Sequence, residues 1–123
     1  MRLLLWTATI LAALLVINNS LSAAELPPCN HSSDGCTMEI ALRDTSKIED
    51  MFGATQKLRL KEWADYLRKN HLQAAQIEGH VYSSGRVEKD LQRGEAIAKF
   101  AEQFMYNLGV NSRQLDIISF GSE

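Results

Sequence analysis

The sequence lacks most of the features by which an enzyme or a nucleic-acid binder is recognised. It has no glycine-rich phosphate loop, and no nucleophile, base and orienting group can be read together; the acidic residues are scattered over helix surfaces. Basic residues are not in excess, with 13 Lys and Arg against 15 Asp and Glu and a formal net charge of −2. A nucleic-acid partner normally shows as a basic stripe, and simple electrostatic adhesion to anionic headgroups also needs positive charge. No internal repeat or low-complexity segment is visible, and beyond the first two dozen residues no apolar run is long enough to span a bilayer. What remains is a small non-enzymatic module, with no cofactor and no metal site expected.

The apolar residues that are present concentrate first at the start of the chain. Arg2 is followed by an apolar run from Leu3 to Ile17 and then by the small residues Ser22, Ala23 and Ala24, which is the layout of a secretory signal peptide. The expected cut follows Ala24, so residues 1–24 are set aside before fold reasoning. An uncleaved anchor is the alternative, disfavoured because the apolar core is shorter than the ~20 residues of a spanning helix. Removing residues 1–24 takes away one basic side chain and no acidic one, moving the net charge to about −3. Residues 25–123 suffice for one small core and no second domain.

Only two cysteines occur, Cys29 and Cys36. In an exported chain such a pair most simply forms one disulfide. The loop it closes is short, so its entropic contribution is below the ~3 kcal/mol of a 15-residue loop, and its expected job is to pin the segment 25–36 beside the first strand. A metal site of Cys29, Cys36 and His31 lacks a fourth ligand and the usual close cysteine spacing. A lipid anchor at Cys29 is disfavoured by the preceding Leu-Pro-Pro and by its distance from the apolar run.

The remainder alternates between two periodicities. Met38, Ile40 and Leu42 alternate along Thr37 to Leu42, the pattern of a strand. Residues 43–53 read as an irregular connection with one helical turn stopped at Gly53. Leu58, Leu60, Trp63, Ala64 and Leu67 recur at helical spacing over Thr55 to Asn70, with Trp63 as a core anchor and Arg68 and Lys69 at the negative end of the dipole. Ala75 to Val81 reads as a second strand, with Ala75, Ile77, Gly79 and Val81 on one side and Gln76, Glu78 and His80 on the other. A loop opens at Ser83-Ser84-Gly85, and a long helix from about Leu91 carries Ile97, Ala101, Phe104 and Leu108 on one face until Gly109 caps it. Leu115 to Phe120 forms the last strand. The order β-α-β-α-β implies an α/β sandwich, a mixed sheet with helices on one face.

The stretch Ile77 to Gly85, Ile-Glu-Gly-His-Val-Tyr-Ser-Ser-Gly, resembles the signature of the OmpA-like domain, the C-terminal peptidoglycan-associated module of many Gram-negative envelope proteins, in which a strand ends in Gly-His-Thr-Asp, then two residues and a Gly. Gly79, His80 and Gly85 fall in register. The run Trp63 to Asn70 is similar to the family helix before that strand. Leu108-Gly109-Val110, Ser112-Arg113, Leu115 and Phe120-Gly121 are similar to the family ending. The resemblance covers roughly residues 37–123 and implies an OmpA-like fold in the periplasm, held to the peptidoglycan stem peptide without covalent bonds.

At the binding site the resemblance fails in two places. The family Asp that pairs with the ammonium of diaminopimelate is replaced by Tyr82, and the family Arg near the start of the long helix by Ile97. Asp90 and Arg93 offer a displaced acid and base, since Arg93 lies one turn ahead of Ile97 on the same face; the bland alternative is a helix-start acid and a solvated surface charge. Tyr82 and His80 complete the expected site, although the family counterpart of His80 is largely structural. The family pattern also continues into a final strand that this chain does not reach, which leaves sheet groups open for a strand from another envelope protein or a self-dimer. Two functions follow. One is a wall-binding module in an envelope assembly; the other is a degenerate module that does not bind the wall and serves as a protein-interaction subunit of an outer-membrane or secretion complex.

Overall fold

The computed structural model describes residues 1–8, 27–32 and 35–123. Among the described residues five strands form one sheet in the order β2-β3-β1-β4-β5, with β1 Arg2–Ala8, β2 Asn30–Ser32, β3 Gly35–Ala41, β4 Ala74–His80 and β5 Leu115–Gly121. A single turn α1 (Ile48–Met51) and the longer helix α2 (Ala54–Lys69) connect β3 to β4, and helix α3 (Val87–Asn107) connects β4 to β5. The β-α-β-α-β order expected from the sequence is that of β3 to β5, and the α/β fold with a mixed sheet is as expected.

The strand at the centre of the sheet comes from residues that the sequence reading set aside. Arg2–Ala8 lies between β3 and β4, antiparallel to both, with Leu3 opposite Ile40 on one side and Gly79 on the other, and Leu5 opposite Met38 and Ile77. Leu3 and Leu5 are fully buried. Burying two such side chains contributes about 1.5–3 kcal/mol each, so β1 is part of the core and the fold does not begin at Thr37. The physical reason is strand geometry. Leu3 and Leu5 are spaced to point to one face of a strand, and the two neighbouring ladders present open hydrogen-bonding groups to it. Because β1 runs antiparallel to both neighbours, β3 and β4 are parallel to each other yet one strand apart, a split β-α-β arrangement. Residues 9–26, which hold the rest of the apolar run to Ile17 and the expected cut after Ala24, lie outside the described residues.

The segment expected as a separate N-terminal piece, 25–36, supplies β2 and the start of β3, which pair antiparallel. Cys29 and Cys36 form the expected disulfide, with Cα atoms 5.5 Å apart. They staple this hairpin at the edge of the sheet.

The helices cover the face to which Leu3, Leu5, Cys36, Ile40, Ala75 and Ile77 point. In α2 the buried stripe is Leu60, Trp63, Ala64 and Leu67, joined by Tyr66, and Trp63 is the expected core anchor. Leu58 does not belong to it and is 56% exposed, because a helix this close to the sheet buries positions i, i+3, i+4 and i+7 and turns the residue two before Leu60 outward. Helix α3 starts at Val87, four residues before the expected Leu91, and buries Asp90, Gly94, Ile97, Ala98, Ala101 and Met105. Phe100 stacks on Phe52 with ring centroids 4.5 Å apart. Gly53 separates α1 from α2 as expected, but at φ −76° it is the N-cap of α2, not a left-handed stop. Gly109 has φ 97° and ends α3 as a left-handed cap.

Two contacts register helices on strands. Buried Gln114 donates its side-chain amide to the carbonyls of Leu67 (2.7 Å), Gln73 (3.0 Å) and Asn70 (3.1 Å), tying the end of α2 to the start of β5. Second, α3 crosses β4 at Gly79 and Gly94. A Cβ on Gly79 would sit 1.9 Å from the backbone oxygen of Gly94, and neither group is the free end of a flexible side chain. Gly79→Ala should therefore push α3 off the sheet, costing at least the roughly 1–3 kcal/mol of an overpacked core; thermal unfolding of the full chain checks this, against Gly53→Ala as a control in a roomier place.

Candidate functional site

Strand β4 leads directly into the candidate site. Val81 extends it by donating its N–H to Gly121 (2.7 Å) at the end of β5. The chain then turns through Tyr82, Ser83 and Ser84, passes Gly85 at φ 81°, and enters α3 after Arg86. A positive φ favours glycine, and Gly85 has open space where a Cβ would stand, so backbone conformation and not crowding calls for glycine there.

Asp90 is almost fully buried, with 3% exposure. Both of its carboxylate oxygens accept from the N–H of Ser84, at 3.2 and 3.1 Å. The hydroxyl of Ser84 holds the carboxyl below its ordinary pKa, helped by the Ser84 N–H, the hydroxyl of Ser122 and the charge of Lys89, while burial works in the opposite direction. Asp90 thus ties the loop back onto the first turn of α3. It is neither a bare helix-start acid nor a free ligand group.

Arg93 is not a solvated charge. One guanidinium nitrogen donates to the carbonyl of Thr45 (2.7 Å) and the other lies 3.4 Å from that of Ser46, so it clamps the connection after β3 onto α3. Ile97, in the place of the family Arg, is fully buried.

Tyr82 stands 72% exposed at the loop mouth. His80 lies on the sheet face opposite the helices, stacked on Phe120 with centroids 5.1 Å apart and planes 8° from parallel. Its ring nitrogens lie 3.2 Å from a carboxylate oxygen of Glu78 and 3.3 Å from the Glu123 carbonyl, which suits a positioning role.

Three of the four expected residues meet in one place. Tyr82, Asp90 and Arg93 line a cavity of about 260 Å³ with Met1, Asp44, Val81, Ser83, Ser84 and Lys89. His80 and Tyr82 border an adjoining cavity of about 390 Å³ whose walls include Met1, Arg2, Glu39 and Glu123. The sequence reading missed Asp44 and Lys89. Asp44 lies in a connection without periodicity, and Lys89 looks like any charge on an amphipathic helix; only the return of residues 44–46 to α3 puts them together. Met1 reaches both cavities because β1 is in place. Burial lowers the pKa of its amino group, against the opposing charge of Asp44.

No family model matches the sequence. The fold, however, is shared with solved structures. The peptidoglycan-associated lipoprotein from Burkholderia pseudomallei matches with a TM-score of 0.61 at 22% identity, over 67% of this chain and 68% of that one. The OmpA-like domain of FopA1 from Francisella tularensis matches with a TM-score of 0.56 at 16% identity, over 66% of this chain and 54% of that one. These neighbours define the class: the chain has the OmpA-like fold.

Two predictions follow from the site. A carboxylate with a lowered folded pKa contributes stability that is present above its unfolded value, about 3.9, and lost as pH falls through the folded value. The melting temperature of the full chain should therefore drop on acidification below about pH 4, and Asp90→Asn, which has no carboxylate there to protonate, should show a shallower drop. Arg93→Ala should cost about 1.5–3 kcal/mol, the worth of hydrogen bonds made by a charged group, and should raise amide exchange in residues 43–47 while leaving β4 protected.

Proposed function

We propose that the chain is an exported OmpA-like module of the cell envelope that associates noncovalently with peptidoglycan through a displaced pocket. In this reading residues 1–24 are the signal peptide, the mature protein works in the periplasm, and no catalysis is involved. The observation that carries it is the mixed charge of the 260 Å³ cavity, where the carboxylate of Asp44 shares walls with Lys89 and Arg93 under the exposed ring of Tyr82.

The diaminopimelate end of a stem peptide presents an ammonium beside carboxylates, so a pocket for it needs both signs. Asp44 supplies the acid that Tyr82 does not. Lys89 supplies a cation, and Arg93 has further N–H donors beyond those given to Thr45 and Ser46. Asp90 acts through the loop it holds, not by touching the ligand. The fold shared with a peptidoglycan-associated lipoprotein supports the same reading.

Co-sedimentation of the purified protein with peptidoglycan sacculi tests it. Retention released by free diaminopimelate is expected, and Asp44→Ala and Lys89→Ala should each weaken it roughly tenfold, equivalent to about 1.4 kcal/mol. Protein left in the supernatant would overturn it.

One observation favours the second function, a module that serves only protein interaction: fully buried Ile97 replaces a ligand-binding Arg while Tyr82 is 72% exposed. There Tyr82→Ala disrupts assembly, and the pocket charges are indifferent.

A further inference from the structure

The central strand is made of the same residues that carry the signal layout. Arg2–Ala8 fills a split between two parallel strands, with ladders to β3 on one side and β4 on the other. Its inward side chains Leu3 and Leu5 are fully buried, while Arg2 on the opposite face pairs with Glu39 at 3.8 Å and is half exposed. The Met1 carbonyl accepts from Leu42 at 2.9 Å, extending the pairing past β3. Among the described residues β3 and β4 are not paired with each other. Taking residues 1–24 away therefore opens two facing rows of backbone donors and acceptors and an apolar slot floored by Met38, Ile40 and Ile77. Unlike an ordinary edge, such a slot accepts a strand from both sides.

We propose that the split between β3 and β4 is a strand-acceptor site: once the leader has been removed, it takes an extended segment of a partner envelope protein in the position and direction now held by Arg2–Ala8. The proposal rests on removal of residues 1–24 in the function proposed above. The seated segment defines the chemistry of the occupant. It runs antiparallel to both neighbours and carries aliphatic side chains at two alternate positions, in register with Ile40 and Gly79 and with Met38 and Ile77. Between them it can bear a residue that tolerates Glu39 and Glu78 on the opposite face, as Leu4 does. Gly79 brings no side chain to the slot because the backbone of α3 at Gly94 closes over it, so the occupant's first aliphatic residue packs in register with Ile40 and beneath that helix.

Strand occupancy is also coupled to the pocket. Met1 lines both cavities at the mouth of the site, so a partner strand that begins differently reshapes them. A wall-binding surface and a protein-binding slot on one small module would let assembly state and wall attachment report on each other.

The test uses the full chain with a specific protease site introduced between Ala24 and Glu25, cut after folding, so that the sheet is built before its strand is freed. The probe is a fluorophore-labelled synthetic peptide of residues 1–9, Met-Arg-Leu-Leu-Leu-Trp-Thr-Ala-Thr, with a second peptide carrying Leu3→Asp and Leu5→Asp. The cut protein is expected to exchange its strand for the first peptide at one per chain, with a rise in melting temperature over strand-depleted protein, and to take up the second at least tenfold less. Equal uptake of both peptides would overturn the proposal. So would a cut protein that loses residues 1–24 and refuses the peptide, which would mean that β3 has closed onto β4, or one that settles as a homodimer, which would assign the slot to a second copy. Strand exchange is read without peptidoglycan, so its failure is distinct from failure in the sacculus assay.

Discussion

Two rows of unpaired backbone groups, one on β3 and one on β4, face each other across the width of a single strand, and the rest of the structure depends on how they are satisfied. Buried backbone N–H and C=O groups left without partners each cost free energy comparable to a lost hydrogen bond. Arg2–Ala8 satisfies both rows at once, and only then does the sheet become a continuous floor on which α2 and α3 bury their apolar stripes. Leu3 and Leu5 are in that floor as much as Ile40 and Ile77 are. The same residues also have the composition of an export signal. One short aliphatic run thus has the make-up of both a central strand and an apolar leader core.

The approach of α3 to β4 carries this floor to the site. Gly79 and Gly94 allow backbone-to-backbone contact, and the hydroxyl of Ser119 closes the junction by donating to the Leu91 carbonyl at 2.7 Å. With the helix held so close, its first turn lies beside the loop after β4, and Asp90 reaches back to Ser84. One helical turn further on, Arg93 catches the connection from β3. The pocket is therefore assembled from three segments whose positions follow from one close crossing. Its charges are distributed accordingly: the acid Asp44 comes from the connection after β3, the cations from α3.

Much of this was legible in the sequence. Period-2 alternation located β3, β4 and β5 within a residue or two, and the helical stripe through Trp63 and Leu67 located α2. The start of α3 was placed four residues late because its first turn, Val87 to Asp90, has no apolar stripe: Val87 is exposed and Asp90 is buried for its hydrogen bonds. The place of Arg2–Ala8 was not legible, since a run apolar at nearly every position shows no alternation, and its role is defined only by two strands that lie far along the chain. At the site, Tyr82, Asp90 and Arg93 line one cavity, but their hydrogen-bond partners are not legible in the sequence. Hydrogen bonds such as Arg93 to Thr45 and Gln114 to Leu67 link residues separated by 48 and 47 positions, and no local pattern announces a bond of that reach.

The central claim is that Arg2–Ala8 is an integral strand of the folded full-length sheet, and native-state amide hydrogen exchange reads it residue by residue. If it holds, the amides of β1 that face β3 and β4 open with the same free energy as those of Ile40 and Ile77, because core strands open only with the whole domain. Exchange of the β1 amides at the rate of an unstructured peptide, with β3 and β4 still protected, would contradict it.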